Sequence, residues 1–143
     1  MAVVLDKEQI KEIIPHRDPF LLIDEVTELE VGKRVKAVKY IKEDDFWFKG
    51  HFPEYPVTPG VLMVEMCAQA GAVALLAMDE NKGKIGFFGG INNCKFRRQV
   101  VPGDKLDIEV EIIKVKGPIG VGKAIASVDG QMAVKAEITF AIK

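Results

Sequence analysis

The chain has 143 residues, 20 Lys and Arg against 21 Asp and Glu, and a formal net charge of −1. A chain of that length favours one domain, residues 1–143, and buries roughly 70% of its unfolded surface without a disulfide or metal staple. Hydrophobic residues at 48% and charged residues at 29% exclude a disordered chain, and the missing cationic excess excludes a general nucleic-acid binder.

From the N-terminus, Leu5, Ile10, Ile13 and Ile14 with polar residues between them predict a short helix over 5–14. Asp6 is its expected N-cap and Pro15 its stop, because the residue before a proline avoids helical geometry. The stretch MAVVLDKEQIKE lacks a basic region ahead of a long apolar one, so no signal peptide is expected. Residues 20–29, FLLIDEVTEL, read as a strand, Gly32 as a turn, and 34–42 as a strand with one wet face.

Residues 44–60, DDFWFKGHFPEYPVTPG, place three aromatics ahead of Gly50-His51-Phe52 and prolines at 53, 56 and 59. That spacing predicts a rigid, extended path and no helix. Thr58 is expected to cap the helix that follows, with Pro59 at its first position. From Val61 to Met78, VLMVEMCAQAGAVALLAM is almost unbroken in its apolarity. A spanning helix needs about 20 apolar residues, and an ionisable group at its centre is costly. Glu65 and Gln69 stand inside the run, so a helix buried in protein, not in lipid, is expected.

After a break at Asn81-Lys82-Gly83 the chain is strand-like to its end. Residues 85–101 read as two runs around Gly89-Gly90, and Pro102-Gly103-Asp104 as a turn. Leu106 to Ile112 and Val134 to Ile142 alternate apolar with polar residues, with hairpin signals at Gly117-Pro118 and Asp129-Gly130. A helix apolar on nearly every face must be enclosed, and six or seven strands are there to enclose it. The expected class is α+β: a curved antiparallel sheet wrapped around one long central helix, whose remaining side is available to a partner subunit.

Chemistry concentrates at few positions. Glu65 sits in the second turn of the most apolar helix, where an unpaired carboxylate is rarely buried. It either faces solvent or an ion-pair partner, or it is a carboxyl held protonated and able to act as a general acid. Gln69 lies four residues on and can hydrogen-bond it. His51 is either a structural histidine or a base set by the proline-stiffened spacer relative to Glu65. The N–H groups of Gly60 and Val61 carry the positive end of the helix dipole and suit a thioester oxygen gaining charge, or Gly60 merely makes the turn. His16, between Pro15 and Arg17, reads as tying down a loop. Cys67 and Cys94 belong to no C-x-x-C pair and, with two histidines, form no zinc spacing, so reduced cytoplasmic thiols and no metal are expected. No nucleotide-binding glycine motif or serine nucleophile elbow is present.

Residues 50–71, GHFPEYPVTPGVLMVEMCAQAG, resemble the signature of the FabZ-type β-hydroxyacyl-acyl carrier protein dehydratases. Ile14-Pro-His-Arg-Asp-Pro-Phe-Leu-Leu-Ile-Asp24 and Lys95-Phe-Arg-Arg-Gln-Val-Val-Pro-Gly-Asp104 resemble the flanking motifs, in the same order and over nearly the whole chain. The resemblance implies a hot-dog fold and dehydration of (3R)-hydroxyacyl-acyl carrier protein to the trans-2-enoyl thioester, in fatty acid biosynthesis and, as a further setting, lipid A biosynthesis. It implies His51 as the group that takes the α-proton, Glu65 as the one that protonates the departing hydroxyl, and no cofactor. Gly60, Val61, Gln69 and Phe87 are the implied substrate contacts. Phe87 matches a tunnel-gating aromatic that is Tyr in some relatives, and Cys94 replaces a usual aliphatic residue. The implied assembly is a homodimer with active sites shared between subunits, gathered into a hexamer as a trimer of dimers. An acidic carrier protein calls for a basic rim, for which Lys95, Arg97 and Arg98 are candidates. Three rival readings stay open: a dehydratase that also isomerises the double bond, whose relatives carry Asp at the position of Glu65; a thioesterase; and a silent acyl-binding protein.

Overall fold

The computed structural model describes residues 3–143. Its elements are α1 (Lys7–Lys11), β1 (Glu25–Glu30), β2 (Arg34–Tyr40), α2 (Gly60–Leu76), β3 (Gly86–Phe96), β4 (Lys105–Lys116), β5 (Ile119–Val128) and β6 (Gln131–Ile142). All six strands join one antiparallel sheet in the order β1-β2-β4-β5-β6-β3, leaving β1 and β3 at the edges.

The alternation of apolar residues decides which face of the sheet turns inward. In β4, Leu106, Ile108 and Val110 are buried while Asp107, Glu109 and Glu111 face out. Ala124 and Ala126 of β5 and Val134, Ala136, Ile138 and Phe140 of β6 complete the inner wall. Asp129 and Gly130 both take positive φ, 50° and 79°, the conformation that a tight hairpin between right-twisted strands requires.

Helix α2 lies against this wall. Every residue from Met66 to Leu76 is buried, so burial here follows from composition and not from an amphipathic stripe. Close approach of helix and sheet depends on Gly71, where a Cβ would stand 2.7 Å from Cζ of Phe140. Among the described residues no helix is long and apolar enough to cross a membrane.

Several boundaries differ from the sequence reading. Helix α1 covers only Lys7–Lys11, and its continuation to Ile14 is a turn held by Ile13 and Ile14 N–H on the Ile10 carbonyl. The first strand begins at Glu25, not at residue 20, because Phe20 and Leu22 direct backbone groups to the Gln69 side chain. Strand β2 stops at Tyr40. A 3-10 helix forms at Phe46–Lys49, burying Trp47 and Phe48 ahead of the proline segment. Pro59, not Thr58, is the N-cap of α2, and the Thr58 hydroxyl is buried without a partner. Gly89-Gly90 makes an irregularity within a continuous β3 and does not divide it.

Asp6 does cap α1: its carboxylate accepts from the Gln9 N–H at 2.9 Å, and Gln9 returns a bond to the Asp6 N–H at 2.8 Å. Asp6→Ala is expected to cost about 1 kcal/mol, the usual worth of such a cap, read as a lowered urea midpoint with an unchanged slope.

Candidate active site

His51 closes the 3-10 turn, its N–H donating to the Trp47 carbonyl at 3.0 Å. The loop beyond it is clasped twice between the same two residues. Val57 N–H donates to the His51 carbonyl at 3.1 Å, and His51 Nδ1 lies 2.8 Å from the Val57 carbonyl. A carbonyl only accepts, so Nδ1 carries a proton, and in the neutral ring the lone pair sits on Nε2. The neighbouring Thr58 N–H ties the loop to the Val100 carbonyl at 2.8 Å. Proline spacing and these bonds hold the imidazole in one tautomer with a basic nitrogen free.

Glu65 has only 16% of its side chain exposed. Burial pushes its carboxyl pKa up, partly opposed by the hydrogen bond from Gln69. Gln69 Nε2 donates to Glu65 Oε2 at 2.8 Å and to the Phe20 carbonyl at 2.8 Å, while Gln69 Oε1 accepts from the Leu22 N–H at 2.8 Å. Gln69 is 0% exposed, its amide committed to Glu65 and to the backbone of Phe20 and Leu22.

A cavity of about 50 Å³ opens beside this carboxyl, lined by His16, Glu65, Ala68, Gln69, Phe87 and Phe88 among others. Ala68, Ala72, Phe87, Phe88 and Phe140 give it apolar walls, and burial there favours the neutral acid. Phe87, half exposed, stands at this cavity. His51 does not line it, so within one chain the two candidate catalytic groups are not brought together.

The imidazole that does meet Glu65 is His16, whose Nε2 is 3.6 Å from Oε2. Burial and the adjacent Arg17 lower the His16 pKa, favouring the neutral ring, and its buried Nδ1 has no partner. The loop-tying role expected of His16 falls to Arg17, whose guanidinium donates to the carbonyls of Lys11, Ile14 and His16. The Pro15-His16-Arg17 motif carried the signal, but no spacing within it shows that His16 arrives beside a helix nearly fifty residues away.

At the start of α2, Gly60 has a packing reason to lack a side chain: its Cβ would lie 2.7 Å from Cε1 of Phe96. Val61 is 74% exposed, so the first turn opens to solvent. Of the three basic candidates, Lys95 and Arg97 are exposed. Arg98 is engaged with Gln131 Oε1 at 2.9 Å and Asp104 Oδ2 at 3.7 Å. Cys67 and Cys94 are both free thiols, and burial pushes the Cys67 thiol up to about 12. No cluster of three His, Cys, Asp or Glu side chains suited to a metal occurs among the described residues.

Comparison with known proteins is specific. The FabA-like domain model matches residues 14–137. The chain is 60% identical to the 3-hydroxyacyl-[acyl-carrier-protein] dehydratase FabZ of Oceanobacillus iheyensis, covering 98% of this chain and 100% of the relative. It is 61% identical to the protein of the same name from Clostridium novyi, over 98% and 99% of the two chains. In fold it is similar to the ApeI:P dehydratase heterocomplex of Xenorhabdus doucetiae, with a TM-score of 0.74 and 17% identity over 94% of this chain and 90% of that one. A thioesterase of Pseudomonas aeruginosa shares the fold at a TM-score of 0.70 and 17% identity, over 97% and 94%. The wrapped helix is thus the hot-dog fold, which hosts both reactions, so fold alone does not choose between them.

Proposed function

The chain belongs to the FabA-like domain family, and within it to the FabZ-type 3-hydroxyacyl-[acyl-carrier-protein] dehydratases; from that membership we propose that His51 and Glu65 are its base and its acid. The reaction is dehydration of 3-hydroxyacyl-acyl carrier protein in fatty acid biosynthesis. His51 Nε2 takes the α-proton, which the thioester carbonyl acidifies. Glu65 gives its proton to the β-hydroxyl, the C–O bond breaks, and water leaves as the trans-2 double bond forms. The observation that carries this assignment is the Glu65 carboxyl: it lies on the most apolar helix, beside a small cavity, with a pKa raised by burial. Gly60 and Val61 N–H, at the open helix end, suit the thioester oxygen as charge builds on it.

Because His51 lies outside the Glu65 cavity in one chain, the active site is read as shared between two copies, each giving His51 to the other's Glu65. Edge strand β3 supports such a homodimer, since Phe87, Phe88 and Ile91 are 50%, 45% and 45% exposed along it. Three such dimers would make the hexamer. Lys95 and Arg97 are exposed and would meet an acidic carrier protein, and Phe87, at the Glu65 cavity, would act as the gate. The (3R) substrate, a cytoplasmic setting and a role toward lipid A belong to the same reading.

Incubation with 3-hydroxydecanoyl-acyl carrier protein is expected to give enoyl absorbance with no free thiol. A cis-3 product would select the isomerising reading, and thiol release the thioesterase. For the shared site, co-expressed His51→Ala and Glu65→Gln chains are expected to regain activity that neither homodimer has. Absence of any recovery in a mixed dimer would argue against it.

A further inference from the structure

We infer that Gln69 is a positioning residue that decides which oxygen of Glu65 presents the proton: its amide N–H occupies Oε2, so the proton is offered from Oε1. The inference deepens the dehydratase reading and rests on Glu65 being the acid. Its basis is that the Gln69 amide cannot turn over. Its Oε1 faces the Leu22 N–H, which only donates, and its Nε2 faces the Phe20 carbonyl, which only accepts. A flipped amide would lose both bonds inside a fully buried site, where each unpaired group carries its whole desolvation cost. The second Nε2 hydrogen is therefore held on Glu65 Oε2 at 2.8 Å.

The carbonyl oxygen of a carboxylic acid is the better acceptor, so a permanent donor at Oε2 selects the form protonated on Oε1. His16 Nε2 approaches the same oxygen at 3.6 Å, and among the described residues Oε1 receives no hydrogen bond. Backbone of the 20–22 segment thus reaches through one buried amide to aim the acid, in keeping with the geometric demand of proton transfer. In the elimination, the Oε1–H proton passes to the β-hydroxyl as the C–O bond breaks. The electron pair of the Cα–H bond becomes the double bond, and that proton moves to His51 Nε2. The Gln69 N–H then stabilises the carboxylate left behind.

The test is the pH dependence of kcat for the full-length enzyme acting on 3-hydroxydecanoyl-acyl carrier protein, in Gln69→Leu and Gln69→Met. Removing the donor is expected to lower kcat by roughly 10-fold or more, less than the ~10²–10³ lost when a reacting oxyanion loses its donor. KM should change less than kcat, since Gln69 is 0% exposed, and the alkaline limb should shift to higher pH. Gln69→Met keeps the side-chain length with no donor and no ionisable group, and carries the test if Gln69→Leu fails to fold. His16 is the other titratable group facing Glu65 in the cavity, with Arg17 beside it, so His16→Gln should retain the limb. A folded Gln69→Leu enzyme with an unmoved limb, or loss of the limb in His16→Gln, would overturn the inference. If Glu65→Gln itself turned over normally, the acid assignment would fail first; if Glu65→Gln is inactive and the limb stays put, only the role of Gln69 falls.

Discussion

His51→Ala and Glu65→Gln are each expected to lower kcat by about 10²–10⁴-fold, the range general acid–base groups contribute. The two losses should not add, since the acid and the base serve one elimination. In Glu65→Gln the amide keeps the shape of the carboxyl and can still accept from Gln69, but it has no proton of suitable acidity to give. The same burial that suits the acid makes it a liability to folding. An unfolded Glu65 loses its proton near the ordinary carboxylate range, whereas the folded one keeps it to higher pH. Through that window the native state binds more protons, so stability falls as pH rises and stays lower above it. Glu65→Gln is therefore expected to melt no lower than wild type at pH 8 while being nearly inactive. A folded variant within tenfold of wild-type turnover would dismantle the catalytic assignment.

Leu75→Ala is expected to destabilise the fold by about 2–5 kcal/mol, the range for deleting a buried leucine whose hole stays open. Leu75 is 1% exposed near the end of α2. Its side chain fills the space over Gly120 of β5, where a Cβ would stand 3.0 Å from Leu75 Cδ1. A glycine has nothing to move into the vacancy, so the upper part of that range is expected. Gly120→Ala should also destabilise, because its methyl group meets a leucine with little room to move. In the double variant the added methyl occupies part of the hole, so the total loss should be smaller than the sum of the two single losses. Denaturant unfolding of the four proteins measures this. Strict additivity would mean that helix and sheet do not interlock at this pair.

The wrapped helix could be read from the sequence because it follows from a local count. Val61 to Met78 has too little polarity for a helix lying on a surface, and the later segments alternate with a period of two. Boundaries were less legible where backbone groups pair with side chains or with non-local partners. Phe20 to Ile23 looks as strand-like as Val26 or Leu29, but Gln69 takes the Phe20 carbonyl and the Leu22 N–H, so the ladder starts only beyond them. The aromatics at 46–48 turn into a 3-10 helix because Trp47 and Phe48 must be buried, a demand set by what packs over them.

At the candidate site, residue types and motif spacing single out His51, Glu65 and Gln69, since a proline-stiffened loop and an i, i+4 helical pair are properties of neighbouring residues. Only the tertiary structure decided that His16 is the imidazole at the Glu65 carboxyl and that Phe96 packs on Gly60. It also decided that Gln69 is fully buried and that His51 stays outside the cavity of its own chain. These are contacts between segments far apart in the chain. Sequence spacing limits where such segments can go, while burial and hydrogen-bond completion in the folded sheet determine which of them meet.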